Sequence, residues 1–181
     1  MKVLFASDLH GSEYYIDLLL RRVSVEKPER LVLLGDLLYH GPRNDLPKGY
    51  DTKAAAALLN SVDPPPVCIR GNCDGEVDQM MLSFPILADF AVLFLDGRTV
   101  YLTHGHHREE ASSALHPGDI LFYGHTHVPD LSLRDGVWHV NPGSVSIPKE
   151  GSRHSYLVWD SAVLLWKDLE TGECWRVERM S

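Results

Sequence analysis

What this sequence lacks narrows the field first. Only three of its 181 residues are cysteine, Cys68, Cys73 and Cys174. Three thiols build no disulfide framework, and the paired thiolates that structural zinc recruits are missing as well. Their odd number points to a reducing, cytoplasmic setting. No apolar run approaches the roughly 20 residues that a membrane helix needs. The chain opens Met1-Lys2-Val3-Leu4-Phe5-Ala6-Ser7-Asp8, and its first acid comes too early for a secretory signal. Basic charge is in deficit: 17 Lys and Arg stand against 25 Asp and Glu, a net charge of −8. A broad footprint for nucleic acid or anionic lipid has no charge to rest on. Repeats, linkers and low-complexity stretches are absent, so 1–181 reads as a single domain.

What is present is an apolar chain with many histidines. Hydrophobic residues make up 44%, enough over this length for a sizeable core, which excludes intrinsic disorder. Histidine occurs ten times, often beside glycine or an acid. Leu31-Val32-Leu33-Leu34-Gly35-Asp36 shows a grammar that recurs. Its unbroken apolar run fits a strand covered on both faces, as in a parallel sheet. Asp36 then stands at the strand end, where open α/β sheets place their ligands. Gly35 leaves room for another backbone to approach. Taken alone, Asp36 reads as a helix N-cap. The repetition of the pattern argues otherwise.

Along the chain, residues 3–7 read as a buried strand ending in Asp8-Leu9-His10-Gly11. Ser12 is a candidate N-cap for a helix over 13–25, with Ile16, Leu19, Leu20 and Val23 on one face. Strand two leads to Asp36 and a polar loop, Tyr39-His40-Gly41-Pro42-Arg43-Asn44. Asp51 caps a helix over 52–60. Strand three, 67–69, ends at Arg70-Gly71-Asn72-Cys73-Asp74. A short helix is expected near 77–82. Strands over 86–95 and 98–103 flank Asp96-Gly97, a hairpin dipeptide. The second runs into His104-Gly105-His106-His107, and a weak helical segment is expected over 108–115. A strand over 120–123 ends at Gly124-His125-Thr126-His127. Asp135-Gly136 marks another hairpin, leading to Asn141-Pro142-Gly143-Ser144. The tail, 155–160, 162–167 and 173–179, reads as an antiparallel meander.

Five apolar strands thus deliver Asp8 with His10, Asp36, Asn72, His104, and His125 with His127. Carboxylate and imidazole suit divalent Mn, Fe, Zn, Co and Ni. In D-x-H and H-x-H, residues two apart in an extended segment point the same way and can reach one site. A lone histidine is more often a surface or core residue, and Asn72 alone is a turn former. Seven such residues at five strand ends are hard to explain as separate caps.

In order, Ser7-Asp8-Leu9-His10-Gly11, Leu34-Gly35-Asp36, Arg70-Gly71-Asn72-Cys73-Asp74, Thr103-His104-Gly105-His106 and Tyr123-Gly124-His125-Thr126-His127 resemble the calcineurin-like metallophosphoesterases. Asn141-Pro142-Gly143-Ser144-Val145-Ser146-Ile147-Pro148-Lys149 and His40-Gly41-Pro42-Arg43-Asn44 are similar to the small bacterial phosphodiesterases among them. The likeness runs from Met1 to about Lys149, and the tail past Tyr156 carries no motif. It implies an α/β fold, a two-sheet β-sandwich flanked by helices in four αββα layers. It also implies two divalent metals, Mn first, with Zn, Fe, Co or Ni as alternatives. Carried over position by position, Asp8, His10, Asp36 and His127 would hold one metal. Asp36, Asn72, His104 and His125 would hold the other, with Asp36 as the bridge. The implied reaction is phosphodiester hydrolysis by a hydroxide shared between the metals, with Arg43 as a further phosphate contact.

One position departs from many members. They carry histidine after the G-N asparagine, thought to protonate the leaving group, where this chain has Cys73. A thiol is a poorer donor there than imidazolium. His106, beside a ligand, is the alternative donor, and a water-exposed loop histidine is its plain reading. The expected partner is a small phosphodiester, with no membrane, nucleic acid disfavoured by the acidic balance, and a homo-oligomer left open. A nuclease is the second reading. A scaffold without catalysis is the third, and the filled ligand set argues against it.

Overall fold

A computed structural model describes residues 1–107 and 114–180. Two sheets face each other. The first has the order β11-β10-β9-β1-β2-β3 and the second β4-β5-β6-β8-β7. The first is built from β1 (Lys2–Ala6), β2 (Arg30–Leu33), β3 (Val67–Cys68), β9 (Ser155–Asp160), β10 (Val163–Asp168) and β11 (Cys174–Arg179). The second contains β4 (Phe90–Leu95), β5 (Arg98–Thr103), β6 (Ile120–Phe122), β7 (Asp130–Arg134) and β8 (Val137–Asn141). Helices α1 (Glu13–Glu26) and α2 (Thr52–Asn60) lie against the first sheet, and α3 (Glu76–Met81) follows β3. The expected two-sheet sandwich flanked by helices is the observed fold. The weak helical segment expected over 108–115 falls mostly outside the described residues.

The apolar runs explain the layering. In β1, Val3 and Phe5 point to the second sheet, while Leu4 and Ala6 point to the helices. Both faces are covered, so no alternation survives in the sequence. Phe5 stacks on Phe122 of the facing sheet with ring centroids 4.0 Å apart. On the helix side, Ile16 and Leu19 of α1 and Ala55, Ala56 and Leu59 of α2 are buried with Leu31 and Leu33. Burying each of the leucine and isoleucine side chains contributes about 1.5–3 kcal/mol, and the alanines less. The caps are local: Ser12 Oγ accepts from Tyr15 N, and Asp51 accepts from Lys53 N and Ala54 N.

Two elements differ from expectation. The strand before Asp96-Gly97 begins at Phe90, not at residue 86. There the Ile86 N–H donates to the Gln79 side chain at 2.9 Å, not to a neighbouring strand. The tail meander is present, yet β9 pairs antiparallel with β1 and stands inside the sheet, contributing fully buried Tyr156 and Trp159.

This topology gathers the strand ends. β1, β2 and β3 are mutually parallel neighbours, as are β5 and β6. Parallel neighbours release their chains at the same edge, so the loops carrying Asp8, Asp36 and Asn72 leave one sheet together. Those carrying His104 and His125 leave the other.

Candidate metal centre

Beyond the strands, the loops after β1 and β2 stay zipped together. Asp8 N donates to Gly35 O, and Leu9 N and His10 N both donate to Asp36 O at 2.9 and 2.8 Å. Val145 N donates to Ser7 O, while Ser144 Oγ and Ser146 Oγ donate to the carbonyls of Asp8 and Leu9. The loops at Gly35 and Gly71 approach closely. A Cβ on Gly35 would meet Gly71 N at 2.5 Å, and one on Gly71 would meet Asp36 Oδ1 at 2.1 Å. Only glycine fits either place. Asp8, His10, Asp36, His125 and His127 all have φ between 47° and 67°. Left-handed backbone at non-glycine residues is uncommon and clusters at functional sites.

The imidazoles are oriented by backbone carbonyls. His10 Nδ1 donates to Tyr39 O at 2.8 Å, His104 Nδ1 to Leu34 O at 2.6 Å, and His127 Nδ1 to Ile147 O at 2.6 Å. A carbonyl can only accept, so each Nδ1 carries a proton and each Nε2 is the ring nitrogen turned into the site. Those Nε2 atoms converge. His10 Nε2 lies 3.3 Å from His127 Nε2, and His127 Nε2 lies 3.4 Å from Asp8 Oδ1. His104 Nε2 lies 3.4 Å from Asp36 Oδ2 and 3.0 Å from Asn72 Oδ1. Asp8 Oδ1 is buried and has no hydrogen-bond partner among the described residues. Acceptors crowded on acceptors need a cation between them.

The electrostatics agree. Burial holds His125 and His127 down at about 4, and lowers His10 too, so these rings are neutral ligands at neutral pH. Burial opposes charge on His104, but Asp36 and Asp8 outweigh it and hold the ring at about 9. Burial pushes Asp8 up, whereas hydrogen bonds from His104 and the Cys73 N–H overcome burial and hold Asp36 low. Three sets of side chains can each close on one ion: Asp8, His10 and His127; Asp8, Asp36 and His104; and His10, Asp36 and Cys73. Among the described residues, Asp8, His10 and Asp36 each belong to two of these sets. The residues present therefore fit divalent metal.

A family model for the calcineurin-like phosphoesterase superfamily domain matches residues 1–162. The chain belongs to that superfamily. Within it, the chain is 47% identical over 165 residues to the phosphodiesterase YfcE of Escherichia coli K12, across 91% of this chain and 90% of the relative. The solved structure of YfcE, a phosphoesterase from E. coli, matches with a TM-score of 0.94 at 43% identity, covering 100% of both chains. The probable metallophosphoesterase YsnB of Bacillus subtilis 168 is 26% identical over 170 residues, 87% of this chain and 83% of the relative.

The calcineurin-like site brings Asp8, His10, Asp36, Asn72, His104 and His127 together. His125 joins no three-residue metal set among the described residues. It lies alongside, its ring 5.2 Å from that of His104 and its backbone N–H on Asp8 Oδ2 at 3.2 Å. A cavity of about 300 Å³ opens beside Asp36, and Arg43, Asn44, Asn72, Cys73 and Lys149 line it. Cys73 is half-buried there, its thiol pushed up to about 12 by burial and by Asp36. His106 is half-buried, 5.5 Å ring to ring from His104, and faces a neighbouring cavity.

Two residues near the centre carry no role that their sequence context announces. Asp74 is buried and accepts the backbone N–H groups of Asp36, Leu37 and Gly71 at 2.7–2.8 Å, clamping the Asp36 turn to the Asn72 turn. Its one signal is position, two residues after Asn72. Lys149, exposed, ends the Asn141 to Lys149 stretch and adds a cation opposite Arg43's loop.

Proposed function

We propose that this phosphoesterase is a binuclear, metal-dependent phosphodiesterase that hydrolyses a small phosphodiester. Asp8, His10, Asp36 and His127 would hold one divalent ion. Asp36, Asn72, His104 and His125 would hold the second, Mn being the first choice for both. When bound, such ions neutralise phosphoryl charge and make water nucleophilic at neutral pH. The observation that carries this reading is the convergence of three imidazole Nε2 atoms on two carboxylates, one oxygen of which has no hydrogen-bond partner among the described residues.

The chain's own groups do the rest. Asp36, shared between two of the ion-closing sets, ties the two halves together. Arg43 and Lys149 on the cavity wall would pair with phosphate oxygens, the guanidinium through its fork of donors. Burial and Asp36 push the Cys73 thiol up to about 12, which disfavours the thiolate that a nucleophile needs. It is also a reluctant acid, which favours substrates with good leaving groups. His106 stands at the wall of the next cavity, one ring away from His104, and is the alternative donor.

No described helix is long and apolar enough to cross a membrane. The three cysteines are unpaired, which supports a cytoplasmic enzyme. Net charge of −8 argues against a polymer of phosphates as substrate. Hydrolysis of bis(4-nitrophenyl) phosphate with added Mn tests the reading. Turnover that EDTA abolishes, with single- and double-stranded DNA left intact, is expected. Cleavage of DNA in preference to the small diester would replace it with the nuclease reading.

A further inference from the structure

Beside the metal centre lies a second, larger cavity of about 630 Å³, well inside the range of small-molecule sites. Asn72 lines both cavities. The larger one therefore adjoins the metal centre, with Asn72 in the wall they share.

Its walls are flat and ring-bearing. Phe90 opposes Thr103 and Val92 opposes Tyr101 in the β4–β5 ladder, so Phe90 and Tyr101 are diagonal neighbours on one face of the sheet. Phe90 is 66% exposed although it is aromatic and sits on a regular strand. Tyr101 is fixed by its hydroxyl, which donates to Ala114 O at 3.2 Å. Arg70 borders the same space, its guanidinium tied by Nε to Asp74 O at 3.2 Å. Two aromatic rings and a guanidinium plane are the surfaces on which flat π systems stack.

We propose that this cavity is a specificity subsite that receives one ring-bearing ester group of the substrate, with Phe90 and Tyr101 as its recognition surface. The preferred diesters then carry an aryl or heterocyclic substituent, and short alkyl diesters leave the cavity unfilled. The proposal rests on the phosphodiesterase reading for the phosphate's position. The wall shared at Asn72 sets the subsite directly beside the phosphate's position.

Equilibrium binding tests it without relying on turnover. Phenyl phosphate and methyl phosphate share the anchoring group and differ only in the ring. Isothermal titration into the Mn-loaded protein should show phenyl phosphate bound about tenfold more tightly. In Phe90→Ala the ratio should fall to about twofold, and in Phe90→Trp it should be kept. Tyr101→Leu should lower the ratio as well, and carries the test if Phe90→Ala does not fold. No preference for the ring in the wild-type protein, or an equal preference in the folded Phe90→Ala and Tyr101→Leu variants, would overturn the subsite. A ring preference that both variants erase, in a protein that hydrolyses no diester, would sustain the subsite and sink the phosphodiesterase reading instead.

Discussion

The two halves of the proposed metal centre are built differently. Asp8, His10 and His127 are all at most 3% exposed, with both rings held by backbone carbonyls. On the other side His104 is fully buried, but Asn72 is exposed and His125 only half-buried. The closed half is continuous with the core, through β1 and the Ser144–Ser146 segment packed on its loop. The open half borders both cavities, whereas the closed half reaches only the smaller one, through His127. The difference assigns holding to one side and exchange with solvent and substrate to the other, and Asp36 joins them.

The bridge should show the largest effect. Asp36→Asn preserves shape but removes the charge that both halves share. Activity on a model diester should fall by roughly 10³-fold or more, while far-UV circular dichroism stays native because the β2 strand is apolar. Near wild-type turnover would mean that Asp36 is only a turn residue. Next comes Asp74, which touches no candidate ligand side chain directly but clamps two loops. Asp74→Asn should cost about 10–100-fold in metal affinity, as the loss of an orienting partner typically does. Unchanged Mn retention on titration would show that the clamp is dispensable.

The strand ends are legible in the amino-acid order itself, because a strand buried on both faces writes itself as an apolar run. Leu31 to Leu34 and Ile120 to Phe122 do so, and the caps Ser12 and Asp51 announce their helices through the hydrogen bonds they make. Pairing partners are not legible. Nothing local in Ser155–Asp160 says that it lies beside β1, since that choice is made by packing Tyr156 and Trp159 across 150 or so residues of chain. Asp74 looks like one more turn former, and only the convergence of three N–H groups reveals its work. Lys149 reaches the cavity because its loop folds back onto His127, whose carbonyl accepts from Lys149 N at 3.3 Å.

Arg43 and Lys149 probe the open half. Arg43→Ala and Lys149→Ala should each raise the Michaelis constant for diesters by about 5–10-fold, the scale of one charge-assisted contact, with metal content unchanged. Loss of bound metal in either would place these cations in the holding half and blur the comparison.

The closed half can be tested with the metal removed. Burial pushes the Asp8 carboxyl above its ordinary range, so its ionised form is disfavoured in the fold. The stability it contributes is complete at low pH and is lost as pH rises through the raised value. Asp8→Asn removes that cost, and its amide can donate towards the His127 Nε2 lone pair 3.4 Å from Oδ1. In EDTA at neutral pH the variant should melt slightly above the wild type, and with Mn below it. The same order in both conditions would show that this half is not poised for a cation.

The central claim is that one shared carboxylate joins two metal sites of unequal enclosure. Metal analysis during stepwise chelation tests it most directly. The Mn-loaded protein should contain about two ions per chain, one leaving readily with loss of activity and one persisting. A single tightly held ion with activity intact would contradict the account.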